Sequence, residues 1–529
     1  MRPALESVVR QAAQPWQSAF VLAIEAAPSP EHAESAFERL VETAGPELLL
    51  AWPAAELEAL AVVVGASPYF ARQLVSSAER WPVLAKSYEN PPPSREALAD
   101  AGGVAADDDA ATLGRKLRRM AAAEMYRIGA RDLLGLATLD ETITSLTTLA
   151  DVAISIAVAQ SRVLLVRSGG DALGEDGRPL GFVVLGMGKL GGCELNFSSD
   201  VDLVYLYESD RVQAGSRPAR EFFTHLASAV TRAIGDVTQD GVVFRVDLRL
   251  RPEGINGLPV NPIGVALDYY EGWGDTWERG ALAKARPVAG DLALGERFLA
   301  ALEPFVYRRH LDFDTIEDLR GMKDRIDAEL ALEKPGIRNV KIGRGGIREL
   351  EFVVQVLQLI HGGHVREVRG AGTRRAIDAL ERHALLSSEE AADLRGAYAF
   401  LRNVEHAIQV EEKRQTQTLP LRPEGLRWLA RRLGYGTGRR GAPLSPDEVA
   451  GFEHDWDRVT HRVYELFLRF LEMRPGEDPR RDQAADPVAL AVLGQISDGR
   501  FDDAGAVLER MGIDGGADAA KNLARIYQG

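Results

Sequence analysis

Cysteine is almost missing from this 529-residue chain: Cys193 stands alone. No disulfide can form within the chain, and a reducing compartment is the natural setting. Positive charge is also short. Lys and Arg number 63 against 78 Asp and Glu, a formal net charge of -15, which argues against holding nucleic acid or an anionic membrane through overall charge, though not against a local basic site. Long apolar runs are lacking too. The longest extends from about Leu48 to Val64 and is interrupted by Pro53, Glu56 and Glu58, a poor membrane span. The opening Met1-Arg2-Pro3-Ala4-Leu5-Glu6 has no apolar core of a signal peptide. These absences predict a cytoplasmic protein. There is no short-period repeat, and low complexity is confined to the Ala/Asp-rich stretch 101–111. Beside Glu405-His406 there is no second His or Cys at ligand spacing, which disfavours zinc and leaves that pair a structural reading.

What is present is ordinary for a folded protein: 46% hydrophobic and 27% charged residues. The length suggests about three or four domains, with ample chain to bury cores. Residues 1–125 are rich in Ala, Leu and Glu and read as helices joined by turns such as Asn90-Pro91-Pro92-Pro93-Ser94. Long helices continue over 126–165. Near 170 the character changes. Gly169-Gly170-Asp171 and Gly174-Glu175-Asp176-Gly177 lead into Phe182-Val183-Val184-Leu185, a buried strand. A glycine loop follows, then a second strand over Val201–Tyr207, a helix over 216–235 and a third strand over Val242–Leu250. From about 311 to 473 the pattern is helical again. Arg474-Pro475-Gly476-Glu477-Asp478-Pro479 reads as a linker to a tail ending at 529. The expected division is 1–125, 126–310, 311–473 and 474–529.

The chemistry concentrates in the middle segment. Asp200 and Asp202 bracket Val201, so strand alternation points both carboxylates one way. Two such charges repel by roughly 4 kcal/mol at about 4 Å and an effective dielectric near 20. A buried sheet carries that cost only beside a cation, and oxygen ligands favour Mg2+ or Mn2+. In Phe244-Arg245-Val246-Asp247-Leu248-Arg249-Leu250-Arg251 one face is apolar, while the other carries Arg245, Asp247, Arg249 and Arg251. One acid among arginines suits a metal ligand beside held phosphates. Asp200, Asp202 and Asp247 therefore form a candidate metal and catalytic set for phosphoryl or nucleotidyl transfer. A plain ion-pair ladder is the alternative.

Gly186-Met187-Gly188-Lys189-Leu190-Gly191-Gly192 matches a dinucleotide-binding pattern, with Glu208 about 20 residues on. The context fails: only Cys193–Ser199 separates it from the next strand, too little for a crossover helix. Nor is it a Walker A loop, since Val183 and Leu190 stand where Gly and Ser/Thr are needed. What remains is a phosphate- or nucleotide-holding loop using Gly188, Lys189, Gly191, Gly192, Ser198 and Ser199, or a tight turn. Cys193 beside it carries no sign of a nucleophile. Gly343-Arg344-Gly345-Gly346-Ile347-Arg348-Glu349 opens a helical run and reads as a phosphate-binding helix start or simply a turn. Phe352, Leu357 and Ile360 read as core. Lys284 and Arg286 read either as phosphate contacts or as an ion-paired surface.

Gly186 to Leu203, with its Asn196-Phe197-Ser198-Ser199-Asp200-Val201-Asp202, resembles the signature of the glutamine synthetase adenylyltransferase/adenylyl-removing enzyme family. Phe244 to Pro252, Trp277-Glu278-Arg279 with Lys284-Ala285-Arg286, Asn339 to Phe352, and Leu401-Arg402-Asn403-Val404-Glu405-His406 match in order, so the resemblance covers about 120 to 420. It implies an α+β architecture: a nucleotidyltransferase-fold mixed sheet (126–310) flanked by helical regions, of which 311–473 is regulatory or partner-binding. Members carry two related catalytic domains, one removing AMP from a tyrosine of glutamine synthetase by phosphorolysis to give ADP, the other adding AMP from ATP. The Asn-Phe-Ser-Ser wording is similar to the removing copy, and only one copy is present. The resemblance further implies control by glutamine and the PII signal protein, phosphate, ADP and ATP as small molecules, and no nucleic-acid or membrane partner. Within it, Arg249 and Arg251 orient phosphates.

Overall fold

The computed structural model describes residues 3–76, 81–213, 216–308, 337–413, 415–435, 446–472 and 500–510, with 495, 516 and 518–521. The chain divides into two compact units, Met1–Phe467 and Leu468–Gly529. The linker expected at 474–479 lies outside the described residues.

Within the first unit the N-terminal region is helical. Two long helices lead to the sheet: α1 (Ala110–Leu133), capped by Asp109, and α2 (Leu139–Gly169), capped by Thr138. Each cap side chain accepts a backbone N–H of the first turn, an otherwise unpaired donor. Because α1 runs straight through residue 125, the boundary expected there does not fall at a break in the backbone. α2 is the one single helix among the described residues long and apolar enough to cross a membrane; 56% of its most apolar window is buried inside the protein. It packs against α1 and the sheet, and its buried Asp151 holds Arg286 and Arg95.

The sheet is small and mixed. β1 (Phe182–Gly186) is buried throughout, and β2 (Val201–Tyr207) nearly so. They pair antiparallel, Phe182 opposite Tyr207 and Gly186 opposite Leu203. β3 (Val246–Asp247) and β4 (Asn261–Pro262) are parallel to β2, at its start and its end respectively. β5 (Arg286–Gly290) is antiparallel to the other edge of β1. On one side Phe182 and Tyr207 stack on Phe223 of α3 (Ala219–Gly235), with ring centroids 5.8 and 4.8 Å apart. On the other, α4 (Leu292–Val306) lies so close that a Cβ on Gly295 would come within 2.8 Å of Val183. The antiparallel β1–β2 pairing removes the dinucleotide-binding reading, which needs a parallel crossover.

The third strand is shorter than the sequence predicts. Val242–Leu250 was expected; only Val246 and Asp247 pair. The Asp247 carboxylate accepts the backbone N–H of Arg249 at 2.8 Å, an Asx turn that bends the chain out of the sheet.

The C-terminal part of the first unit returns to helix. α5 (Ile347–His361), α6 (Thr373–Arg382) and α7 (Ser388–Glu412, opened by a Ser387/Glu390 capping box) pack behind the glycine loop. Phe352 and Leu357 are core, as expected, whereas Ile360 is only half-buried.

Candidate active site

The site forms where β2 begins. The parallel register sets Val201 against Val246 and Asp202 against Asp247, so the two carboxylates rise side by side from neighbouring strands. Asp200 lies one residue before β2. Arg245 donates to its Oδ1, and Gln415 donates to its Oδ2 at 2.8 Å. Asp247 is held by Arg249, whose Nε is 2.8 Å from Oδ2, and this guanidinium keeps the carboxyl below its ordinary range. Asp202 has no such partner. Burial, then the charges of Asp247 and Asp200, push it up to about 7, against the opposing pull of Lys341 and Arg249.

The glycine loop wraps this carboxylate. Gly188 sits at φ +51, and a Cβ there would stand 2.8 Å from Asp202 Oδ2; both facts require glycine. Gly191 is closed in by Lys284, whose carbonyl oxygen would meet a Cβ at 1.8 Å. Gly192 is similarly close to the Ala371 carbonyl, at 3.0 Å.

Behind the loop lies a buried ionic network. The Lys189 ammonium donates to both Glu405 oxygens, at 2.8 and 3.0 Å. Arg402, fully buried, reaches Glu405 at 3.1 Å and the Glu194 carbonyl at 2.6 Å. Burial pushes Lys189 down to about 8 in spite of its partner, whereas Glu405 is held at about 2 because Lys189 and Arg402 outweigh its own burial. Lys284 pairs with Glu351 at 3.1 Å, and Arg286 is bidentate to Asp151 at 3.0 Å. Both basic residues are therefore internal ion pairs.

The remaining candidates divide clearly. Ser198 gives its N–H to Gln409 at 3.0 Å and its hydroxyl to the Lys413 carbonyl at 3.1 Å. Ser199 bonds Asn196 across the turn. Arg251 donates to the carbonyls of Leu248, Ile255 and Gly257, tying its loop together rather than standing on a strand face beside Asp247. The structure thus gathers Asp200, Asp202, Asp247, Gly188 and Arg249 at one place. Lys189, Gly191, Gly192, Ser198, Ser199 and Arg251 form the frame around it. At the Gly343–Glu349 helix start, the N–H groups of Gly345, Gly346, Ile347 and Arg348 are all bonded within the chain, so the turn reading holds there. Glu405 and His406 are buried, with burial, then Arg402, pushing the imidazole down to about 3.

Two residues near the carboxylates carried little sequence signal. Gln415 sits in no motif. Lys341 belongs to the matched Asn339–Phe352 segment, but nothing in one dimension ties it to Asp202.

A divalent cation suits this donor set chemically: all-oxygen ligands crowd together with Asp202 short of positive charge. Among the described residues no three His, Cys, Asp or Glu side chains already stand arranged about one ion. Arg245 and Arg249 instead hold Asp200 and Asp247.

Known proteins resemble the chain in two segments. Residues 57–301 match the family model for glutamate-ammonia ligase adenylyltransferase, and residues 320–471 match that for GlnD PII-uridylyltransferase. Proteins named bifunctional glutamine synthetase adenylyltransferase/adenylyl-removing enzyme are similar over most of this chain. The one from Pseudomonas aeruginosa is 41% identical over 405 residues, covering 74% of this chain and 41% of the relative. That from Methylococcus capsulatus is 38% identical over 454 residues, 84% of this chain and 46% of the relative. That from Chromobacterium violaceum is 36% identical over 438 residues, 80% and 48%. The chain spans less than half the length of each. Residues 57–301, the span that holds the sheet and its carboxylates, are thus similar to the glutamate-ammonia ligase adenylyltransferase family.

Proposed function

We propose that this chain removes AMP from an adenylylated tyrosine of glutamine synthetase by phosphorolysis, yielding ADP and the unmodified synthetase, and so takes part in regulating nitrogen assimilation. The observation that carries the reading is the parallel register that stands Asp202 beside Asp247, with Asp200 one residue before the strand. The Asn196–Asp202 wording, similar to the removing copy of the family, supplies the direction.

When bound at Asp200, Asp202 and Asp247, Mg2+ or Mn2+ neutralises charge on the phosphate oxygens. The chain's own residues do the positioning. Asp202 is fixed against Gly188, and Arg249, exposed at the rim, is placed to meet a phosphate once it leaves Asp247. An oxygen of inorganic phosphate attacks the AMP phosphorus. The bond from that phosphorus to the tyrosine oxygen breaks, ADP forms, and the departing phenolate takes a proton from water. Transfer of this type depends mainly on alignment and electrostatics. The span 320–471, similar to the PII-uridylyltransferase model, supports the PII signal protein as a second partner.

The relatives' names join adenylyl removal with adenylyl transfer, so transfer from ATP is the competing reading. Incubation of adenylylated glutamine synthetase with the chain, Mg2+ and phosphate separates the two. Phosphate-dependent ADP release is expected. AMP incorporation from ATP into unmodified synthetase, without that release, would replace this reading with transfer; neither product would shift the role to binding.

A further inference from the structure

The cations around the carboxylates are nearly all committed. Arg245 is spent on Asp200, Arg249 on Asp247, Lys189 on Glu405, Lys284 on Glu351 and Arg286 on Asp151. Lys341 differs: among the described residues its ammonium makes no ion pair and no hydrogen bond. Its charge nevertheless bears on both Asp202 and Lys189.

The backbone fixes it there. Asn339 Oδ1 accepts the N–H groups of Lys341 and Ile342 at 2.9 and 3.1 Å. The Lys341 carbonyl accepts the Arg348 N–H at 3.0 Å at the start of α5. Asn339 bridges to Thr418, and Val340 donates to the Gln417 carbonyl at 2.8 Å. Gln415, on that same short segment, reaches Asp200 at 2.8 Å. A chain of backbone and side-chain hydrogen bonds thus connects the Lys341 segment to Asp200. An anchored, half-buried cation with an uncommitted head beside a cluster of acids suits an anionic ligand shared with those acids, and an ammonium is a compact point charge for phosphate.

We propose that Lys341 is a phosphate-binding residue of this site, gripping non-bridging oxygens of inorganic phosphate and of the ADP product. The inference rests on the phosphorolytic reading. It assigns to a side chain the role that the bonded N–H groups of the same helix start do not fill.

The test is calorimetric titration of the full chain and its Lys341→Met and Lys341→Arg variants with ADP and with inorganic phosphate, both in Mg2+. Mn2+ affinity and melting temperature are measured alongside. Lys341→Met should weaken both ligands about tenfold to a hundredfold and leave Mn2+ affinity and melting unchanged, while Lys341→Arg recovers most of the loss. Wild-type affinity in Lys341→Met, or a parallel loss of Mn2+ affinity, overturns the role of Lys341 but leaves the proposed function standing. A wild-type chain that melts cooperatively yet binds neither ligand overturns the phosphorolytic reading and this inference with it.

Discussion

At the scale of single residues the site turns on charge. Asp202 is the least compensated of its carboxylates, since Asp200 and Asp247 each face an arginine. Asp202→Asn and Asp247→Asn keep the shape and remove that charge. Each should lower ADP release about a hundredfold or more; the melting temperature should hold or rise in Asp202→Asn, where burial and repulsion disfavour the charge. Near-wild-type turnover in either variant would reject the carboxylate site. Gly188→Ala acts through shape. The methyl must adopt a left-handed backbone, at a cost of about 1–2 kcal/mol, and it meets Asp202 Oδ2 at 2.8 Å. Both stability in urea and turnover should fall; an unchanged unfolding midpoint would show that the loop relaxes freely.

At the scale of elements, the contact between the glycine loop and α7 is ionic and buried. Lys189 and Arg402 converge on Glu405, which is fully buried. Glu405→Gln leaves two buried cations undercompensated and should cost about 3 kcal/mol. The pH dependence has a definite sign. Glu405 is held at about 2, below its ordinary 4.5, so its stabilisation is complete above 4.5 and lost as pH falls toward 2. Lys189 works the other way: burial disfavours its charged form, so alkaline pH relieves a cost. Urea unfolding at stepped pH should therefore show a flatter limb between 4.5 and 2 in Glu405→Gln than in the wild type. Parallel curves for the two proteins would mean that the pair adds nothing to acid stability.

At the scale of the whole molecule, the fold does not depend on a metal for its core. One apolar cluster runs from the N-terminal helices through α1, α2, α3 and the sheet. Chelation with EDTA should abolish phosphate-dependent ADP release while leaving far-UV circular dichroism intact, and Mg2+ or Mn2+ should restore turnover. Loss of helical signal on chelation would make the ion structural instead.

The sequence by itself determined the helical flanks, the strands over Phe182–Leu185 and Val201–Tyr207, and the family resemblance, because these rest on local pattern: apolar runs and an ordered series of motifs. It also placed Asp200, Asp202 and Asp247 as candidates through alternation along single strands. Only the tertiary structure decided which polar residues are spent inside the protein. Lys189, Ser198, Lys284 and Arg286 looked available in one dimension, and each is bonded to a group at least 89 residues away. The third strand ended early because the Asp247 carboxylate captured a backbone N–H two residues on, a local competition that alternation does not register. The segment that carries Lys341 is tied to the one that carries Gln415, and so to Asp200, through the pairing of Asn339 with Thr418. Contacts of that range follow from how helices and sheet pack, and no spacing along the chain encodes them.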